Sequence, residues 1–230
     1  MSNFISLLCV LFFFQLNTGY SSPLFFKGYS TCKKPGMIAL TFDDGVTKNY
    51  PLVLNVLATY NIKATFFVIG ATLKNPYNLL LLKQTHDRGH VIGNHTWDHK
   101  ALTALTDKQI ETEVLNTQNG INLITSRSNL YFRPPFGKIN QLVYDRLIGM
   151  GYTVVLWNSD IDDWNIRIHR DKLWAFYQKH ISEADPTKQS FIILQHDRRL
   201  DSIQILPGII ELGKAKGFKF VTMDECLGLN

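Results

Sequence analysis

The sequence predicts an α/β fold, a distorted (β/α)7-type barrel of parallel strands that forms a single domain. Short apolar runs typical of strands alternate along the chain with segments whose apolar residues recur at helical spacing. Such alternation implies parallel strands joined by right-handed crossovers. The length, 230 residues, suits one domain with a sizeable core. An open doubly wound sheet is the alternative that the same pattern leaves open.

Seven segments are predicted to be strands, and several are apolar nearly throughout, as strands buried on both faces are. They are Met37–Phe42, Ala64–Ile69, Val91–Asn94, Tyr131–Arg133, Thr153–Trp157, Phe191–Gln195 and Lys219–Thr222. Seven strands are one fewer than in the common eightfold barrel. In either parallel fold, functional groups gather at the carboxyl ends of the strands, so the polar residues there are the candidates for a site.

Helical stripes lie between these strands, and we interpret each as a core-facing surface. Thr106 and Gln109 form a capping-box pattern that predicts the start of one helix. Gly151 and Gly217 follow two stripes and predict helix ends. The apolar positions are Val53, Val56, Leu57 and Tyr60; Ile110, Val114 and Ile121; Val143, Leu147 and Met150; Leu173, Phe176, Tyr177 and Ile181; and Leu206, Ile209 and Ile210.

An apolar run at residues 4–16 precedes the small residues Gly19, Ser21 and Ser22. This run is too short to span a bilayer comfortably. We therefore predict that residues 1–21 are a secretory signal peptide and that residues 22–230 form the functional domain. An N-terminal membrane anchor is the alternative. We expect a secreted protein, extracellular or in the cell wall, without stable membrane insertion.

The cysteines and the charge fit this compartment. Cys9 lies in the predicted signal peptide, which leaves Cys32 and Cys226 near the two ends of the domain. In a secreted protein this pair predicts one disulfide, and two unrelated buried thiols are the alternative. The net charge of +5 comes from scattered side chains whose longest clusters are pairs such as Arg198-Arg199. We expect a solvated surface, a monomer and no nucleic-acid partner.

Polar residues follow the first and third predicted strands. Asp43 and Asp44 are adjacent carboxylates, which repel each other unless a cation offsets the repulsion. The alternative is a turn, because Asp44-Gly45 is a common turn pair. His95 and His99 are four residues apart, a spacing that allows two imidazoles to bind one metal ion, although chance is the usual explanation of such a pair in isolation.

Three further strand ends carry polar residues. Arg133 precedes two prolines and is able to bind a carboxylate with two hydrogen bonds. Asp163 lies in an acidic segment after the fifth strand, and His196 ends the sixth. Each has a simpler interpretation by itself: a surface arginine, a solvated loop and a structural histidine. Together, the five strand ends supply one Asp and two His for a metal ion, with a second Asp and a separate His as base and acid.

These motifs resemble the polysaccharide deacetylase family, also called the NodB-homology or carbohydrate esterase family 4 group, over about residues 35–225. The motifs occur in the family's order and are Thr41–Gly45, His95–His99, Arg133–Gly137, Asp160–Trp164 and Leu194–Asp197. The terminal cysteine pair and the His-Thr-Trp sequence most resemble fungal-type chitin deacetylases. The resemblance adds specificity that none of the motifs has alone.

The resemblance also implies a role for each residue. Asp43 would be the general base, oriented by Arg133, and His196 would be the general acid, tuned by Asp163. One divalent metal ion, expected to be zinc with cobalt as an alternative, would be bound by Asp44, His95 and His99. The acetyl pocket would be formed by the backbone N–H of Phe136, which faces the oxyanion, and by the walls Trp164 and Leu194.

The resemblance further implies the reaction. We expect hydrolytic deacetylation of N-acetylglucosamine residues in chitin or chitin oligomers, with release of acetate. The alternatives are a peptidoglycan or acetylxylan deacetylase of the same mechanism, and a catalytically inactive carbohydrate-binding wall protein. Two residues depart from the family pattern: Phe136 replaces a usual Tyr, and Val46 replaces a frequent Pro. Neither change removes a catalytic group.

Overall fold

The computed structural model describes residues 28–126 and 130–229. The predicted signal peptide therefore lies outside the described residues. Seven parallel strands form one sheet: β1 Met37–Asp43, β2 Thr65–Val68, β3 Val91–Asn94, β4 Leu130–Phe132, β5 Tyr152–Val154, β6 Phe191–His196 and β7 Lys219–Val221. Each of the seven overlaps a predicted strand, so the predicted strands are confirmed.

The sheet curls until its two ends meet. Its order is β5-β4-β3-β2-β1-β6, and β7 pairs with the first half of β1. The segment after β5 then reaches β6: Ser159 pairs with Ile193, and the Asn158 N–H donates to the Ile192 carbonyl at 3.2 Å. The predicted distorted (β/α)7-type barrel in a single domain is thereby confirmed.

Helices cover the outside of this sheet. They are α1 Tyr50–Thr59, α2 Pro76–Asp87, α3 Asp107–Asn122, α4 Gln141–Gly149, α5 Arg170–Ser182, α6 Leu200–Ala215 and α7 Met223–Leu227. The five predicted stripes lie in α1, α3, α4, α5 and α6. Helix α2 lies outside every predicted stripe, because its apolar residues form a continuous run, Leu79 to Leu82, rather than a helical repeat.

The predicted helix boundaries have the expected physical basis. At the start of α3, the Thr106 N–H donates to Gln109 Oε1 at 2.9 Å, and the Gln109 N–H donates to Thr106 Oγ1 at 3.4 Å. This reciprocal pair is the capping box. Gly151 (φ +85°) and Gly217 (φ +92°) follow α4 and α6 in the left-handed region, which glycine adopts without steric cost.

Side-chain alternation along β1 brings polar groups inside the barrel. Successive residues of a strand point to opposite faces. One face packs into the core beneath the helices and comprises Ile38, Leu40 and Phe42. The other face carries Ala39, which belongs to an apolar cluster inside the barrel, followed by Thr41 and Asp43. The interior is thus apolar at the amino end of β1 and polar at its carboxyl end.

Cys32 and Cys226 form the predicted disulfide, with their Cα atoms 4.6 Å apart. The bond joins the segment before β1 to α7 across a sequence separation of 194 residues. Backbone bonds support the same junction, since the Lys33 N–H donates to the Cys226 carbonyl at 2.9 Å. The disulfide therefore ties the two ends of the described chain together.

In residues 28–126 and 130–229, no helix is both long enough and apolar enough to cross a membrane. This finding concerns those residues alone.

Removing the disulfide should destabilise the fold. The double variant Cys32→Ser, Cys226→Ser is expected to lose up to about 5 kcal/mol of unfolding free energy, because so long a loop is costly to close in the unfolded chain. Urea unfolding of the variant and the wild type measures the loss, and the wild type kept in reductant is the control. An unchanged free energy of unfolding would contradict the prediction.

Candidate metal and catalytic site

Arg133 lies at the centre of the barrel's carboxyl end and has no exposed surface. Its Nη1 donates to Asp43 Oδ1 at 2.8 Å and to Thr41 Oγ1 at 2.7 Å. Its Nε and Nη2 donate to the carbonyls of Val155 and Leu156 at 3.3 and 3.0 Å. Burial lowers the pKa of the guanidinium, and the charge of Asp43 offsets part of that effect. The arginine therefore holds one carboxylate oxygen of Asp43 in a fixed position.

The surroundings of Arg133 explain why it is rigid. The guanidinium lies over the rings of Phe67 and Trp157, with its central carbon 4.3 and 5.5 Å from their centroids. The carbonyl of Arg133 lies 2.7 Å from His95 Nδ1. That contact directs the other ring nitrogen of His95, Nε2, towards the cleft.

Asp44, His95 and His99 converge at the carboxyl ends of β1 and β3. Their ligand atoms lie within 4.8 Å of one another. Asp44 Oδ1 lies 3.5 Å from His95 Nε2 and 3.2 Å from His99 Nε2. This oxygen is buried and accepts no hydrogen bond from the described residues. A buried acceptor facing two imidazole nitrogens fits a cation better than it fits any protein donor present.

The charge states of the three residues also suit a metal ion. Burial by itself raises the pKa of Asp44, but the imidazoles of His95, His99 and His196 hold it below its usual value. Burial and the His95 ring lower the pKa of His99. Asp44 is therefore ionised and His99 is mostly neutral at neutral pH, which are the forms that bind metals.

His196 and Asp163 form a second buried pair. His196 Nδ1 lies 2.6 Å from Asp163 Oδ1, and the His196 backbone N–H donates to Asp163 Oδ2 at 3.0 Å. Burial alone would lower the pKa of the imidazole. The hydrogen bond and charge of Asp163, together with the charges of Asp43 and Asp44, raise it to about 9. The ring is therefore protonated at neutral pH, with Nε2 on the cleft side.

Arg199 fixes the segment that carries Asp163. The Arg199 side chain is largely buried, and its Nη2 pairs with Asp201 Oδ2 at 2.5 Å. Its Nη1 donates to the carbonyls of Asp163, Asn165 and Ile168 at 3.1, 2.5 and 2.9 Å. Three carbonyls bound by one guanidinium leave the segment between β5 and α5 little freedom to move away from His196.

These groups border one cleft of about 420 Å³. Its lining comprises Asp43, Asp44, His95, His99, Phe136, Trp157, Asp160, Asp162, Trp164, Leu194, His196 and Arg198. Phe136 and Trp164 are 61% and 55% exposed, so two aromatic rings flank the opening. Leu194 is buried in the wall. The cleft therefore combines a polar floor with an apolar rim.

Left-handed backbone is concentrated in the loops that build the cleft. Among the described residues, five non-glycine positions of these loops have positive φ angles: Asp44 (68°), Thr96 (65°), His99 (57°), Phe136 (61°) and Asp162 (51°). Such angles are costly for side chains other than glycine and persist only where surrounding contacts enforce them. Their concentration here indicates that the fold enforces the geometry of the site.

All ten site residues that the sequence predicts are brought together. Eight line the cleft, while Arg133 and Asp163 lie behind it against Asp43 and His196. Neither Arg198, whose Nε lies 3.3 Å from Asp44 Oδ2, nor Arg199 was predicted as a site residue. The expected solvation holds for Arg198, whose side chain is 53% exposed, and is wrong for Arg199, whose side chain is 15% exposed. Their place just after the carboxyl end of β6 was the available signal.

A sequence profile described as polysaccharide deacetylase matches residues 30–155, which is more than half of the chain. The peptidoglycan-N-acetylglucosamine deacetylase PgdA of Listeria monocytogenes is 33% identical over 193 residues, which are 83% of this chain and 39% of that protein. A peptidoglycan-N-acetylglucosamine deacetylase of Bacillus cereus is 35% identical over 210 residues, covering 87% of this chain and 93% of that one. The chain thus spans about two fifths of the Listeria protein's length and nearly all of the Bacillus protein's.

Solved structures share the fold. The chitin deacetylase from the fungal pathogen Colletotrichum lindemuthianum has a TM-score of 0.81 and 27% sequence identity. The match covers 88% of this chain and 92% of that one. The structural similarity therefore extends over the barrel and includes residues beyond those that the family profile matches.

Asp163→Asn should lower the pKa of His196, because a neutral amide stabilises the imidazolium less than a carboxylate does. NMR titration of the metal-free protein measures this value. In the folded protein the pKa is about 9, above the ordinary 6.5. The contribution of the Asp163–His196 pair to the free energy of unfolding is therefore complete below about pH 6.5 and disappears as the pH rises through about 9. The variant should lose more stability at about pH 6 than at about pH 10.

Asp162→Asn is the matched control for this prediction. Asp162 is exposed and lies one residue away, and asparagine tolerates its left-handed backbone. Its substitution should leave the His196 pKa unchanged. An unaltered pKa in Asp163→Asn would contradict the assigned pair.

Proposed function

Because the chain belongs to the polysaccharide deacetylase family, we propose that it is a metal-dependent hydrolase that removes acetyl groups from N-acetylglucosamine residues of chitin or chitin oligomers. One observation carries the proposal: a carboxylate and two imidazoles converge beside two separately held acid–base groups in one cleft. Amide hydrolysis requires a polarised carbonyl, a base for the attacking water and an acid for the leaving amine.

Asp44, His95 and His99 would hold the metal ion. Asp44 Oδ1 supports that role, because it is buried and accepts no hydrogen bond from the described residues. Two imidazoles and a carboxylate suit zinc, and cobalt is the alternative. When bound, a divalent ion polarises the substrate carbonyl and lowers the pKa of water. The remaining chemistry would come from residues of this chain.

Asp43 would accept the proton of the attacking water. Arg133 occupies Asp43 Oδ1, so Oδ2 is the oxygen left for this role. Asp43 Oδ2 lies 3.7 Å from His95 Nε2, next to the three proposed ligands. The base would therefore lie beside the polarised carbonyl, with its orientation set by a guanidinium that has no freedom to move away.

His196 would donate the proton that the leaving amine requires. Its pKa of about 9 supplies the protonated ring at neutral pH. The hydrogen bond between Nδ1 and Asp163 leaves Nε2 as the donor towards the cleft. That hydrogen bond does not involve Asp44, so Asp163 is the partner that would keep the acid protonated when Asp44 acts as a ligand. The carbon–nitrogen bond would then break, which would release the glycan amine and leave the acetyl group as acetate.

The walls of the cleft would orient the acetyl group. Trp164 and Leu194 offer apolar surface for its methyl group. The backbone N–H of Phe136 would donate to the oxyanion, an interaction that contributes about 3–4 kcal/mol per donor in other hydrolases. Because a backbone group supplies this bond, the replacement of the family's usual Tyr by Phe136 would leave it in place.

The open rim supports an extended glycan rather than a free monosaccharide. Phe136 and Trp164 flank the opening with exposed rings, which can contact the apolar faces of neighbouring sugars. The Colletotrichum relative supports chitin as the substrate. Peptidoglycan is the second candidate, because the Listeria and Bacillus relatives act on it and the N-acetylglucosamine unit is common to both polymers. We further propose secretion, which the disulfide supports.

The two adjacent aspartates should respond differently to substitution. Asp43→Asn is expected to keep the metal ion and lose nearly all turnover, because only the base is removed. Asp44→Asn is expected to bind the metal ion more weakly, because a charged ligand becomes neutral. Elemental analysis after dialysis and acetate release at saturating zinc measure the two effects. Near-normal turnover by metal-loaded Asp43→Asn, or wild-type activity under full chelation, would refute the mechanism.

Turnover should rise with the length of the chitin oligomer. Sugars bound beyond the reacting unit contribute to its orientation, so short substrates should lose kcat as well as affinity. Acetate release is compared for N-acetylglucosamine, chitin oligomers of increasing length, peptidoglycan and acetylxylan. Rates independent of oligomer length would defeat the extended-glycan proposal. Activity confined to peptidoglycan or acetylxylan would replace chitin as the substrate.

A further inference from the structure

The loop between His95 and His99 lies on a buried carboxylate from α3. Glu113 Oε2 accepts hydrogen bonds from the backbone N–H groups of Trp97 at 3.0 Å and Asp98 at 2.8 Å. These two residues lie between the proposed ligands. Glu113 is only 6% exposed, so its charge is shielded from water. A buried, ionised acceptor makes stronger bonds than a neutral one.

The second oxygen of Glu113 reaches the far side of the same loop. Glu113 Oε1 pairs with Lys100 Nζ at 3.0 Å, and Lys100 directly follows His99. Lys100 Nζ also contacts Asp98 Oδ2 at 2.9 Å. The carboxylate therefore connects helix α3 to the chain on both sides of His99.

This loop requires external support. Thr96 and His99 have φ angles of 65° and 57°, in the left-handed region that is unfavourable for both residue types. Hydrogen bonds to the backbone are one way to enforce such a conformation. Glu113 supplies two of them within the three residues that separate the ligands.

The two histidines depend on this support unequally. His95 follows β3 directly, and its ring is oriented by the Arg133 carbonyl 2.7 Å from Nδ1. Among the described residues, the ring of His99 contacts the side chains of Asp44, His95 and Phe136. Its Nε2 lies 3.2 Å from Asp44 Oδ1, and the His95 and Phe136 ring centroids are 4.9 and 4.6 Å away. The polar contact is thus with another proposed ligand, and no backbone carbonyl in the described part of the chain orients the ring as that of Arg133 orients His95. The position of His99 therefore depends more on the backbone that carries it.

We propose that Glu113 is a positioning residue that sets the metal affinity of the site by fixing the backbone that carries His99. The inference rests on the proposed function, because it requires His99 to be a metal ligand. Glu113 itself lies behind the loop, so it acts through His99 and contacts neither the metal ion nor the substrate.

Zinc affinity of the metal-free full-length protein tests the proposal, measured by competition with a chromophoric chelator. Glu113→Met fills a similar volume and removes both acceptors, so its Kd should rise by roughly tenfold or more. Glu113→Gln keeps an oxygen that can accept both N–H bonds without the charge, so its Kd should lie between those of Glu113→Met and the wild type. If Glu113→Met does not fold, the zinc Kd of Glu113→Gln is the test. A Kd equal to that of the wild type would then overturn the proposal.

Glu111→Met is the matched control. Glu111 lies on the same helix, has a side chain that is 46% exposed and pairs with Arg146 at 3.2 Å. Its substitution should leave the zinc affinity unchanged. Thermal unfolding of each metal-free variant shows whether a change in affinity follows from a loss of stability.

Repeating the Glu113→Met substitution in a His99→Ala variant tests whether Glu113 positions His99 or supports the fold in general. In His99→Ala, the ligand that Glu113 positions is absent, so adding Glu113→Met should change the Kd by much less than it does in the wild type. An equal weakening in both backgrounds would overturn the proposal, and so would an unchanged Kd in the wild-type background. If the wild type binds no zinc, the proposed metal site fails and this inference fails with it. If the wild type binds zinc and Glu113→Met binds it equally well, only this inference fails.

Discussion

The guanidinium of Arg133 joins most of the strands that build the site. It binds Asp43 and Thr41 on β1 and the two carbonyls that follow β5. The backbone carbonyl of Arg133 orients His95, which follows β3. Thr41 connects the same network to β6, because its hydroxyl donates to the Ile193 carbonyl at 2.6 Å. Removing one partner of such a buried pair costs about 3–5 kcal/mol, because a charge is left uncompensated. The geometry of the proposed catalytic site and the integrity of the barrel's carboxyl end therefore depend on one residue.

Two adjacent carboxylates have different chemistry because their neighbours differ. Asp43 is inside the barrel against a fixed arginine, which orients one oxygen and leaves the other exposed to the cleft. Asp44 turns into the left-handed region and faces imidazoles instead. A cation between these imidazoles and Asp44 would relieve the repulsion that two neighbouring negative charges impose on each other. The backbone turn at Asp44 thus gives the two carboxylates different surroundings and separates the proposed base from the proposed ligand.

Much of the fold and site was predictable because both follow from short-range patterns. Parallel strands end at one rim, so residues such as Asp43 and His196 could be placed together without knowing any distance. The side chains behind the site were not predictable in the same way. The sequence suggests that Arg199 is a surface charge, because it binds three backbone carbonyls, and no sequence pattern identifies such partners. Glu113 did leave a signal: it falls in the buried stripe of α3 beside Ile110 and Val114, where an unpaired carboxylate would be costly.

The central claim is that Asp44, His95 and His99 bind one divalent ion beside Asp43. Anomalous diffraction from crystals of the zinc-loaded protein, collected at the zinc absorption edge, tests it most directly. We expect one strong peak about 2.0–2.2 Å from one oxygen of Asp44 and from Nε2 of both histidines. A zinc-loaded crystal with no peak at these three side chains, or with its peak elsewhere in the barrel, would refute the proposed metal site.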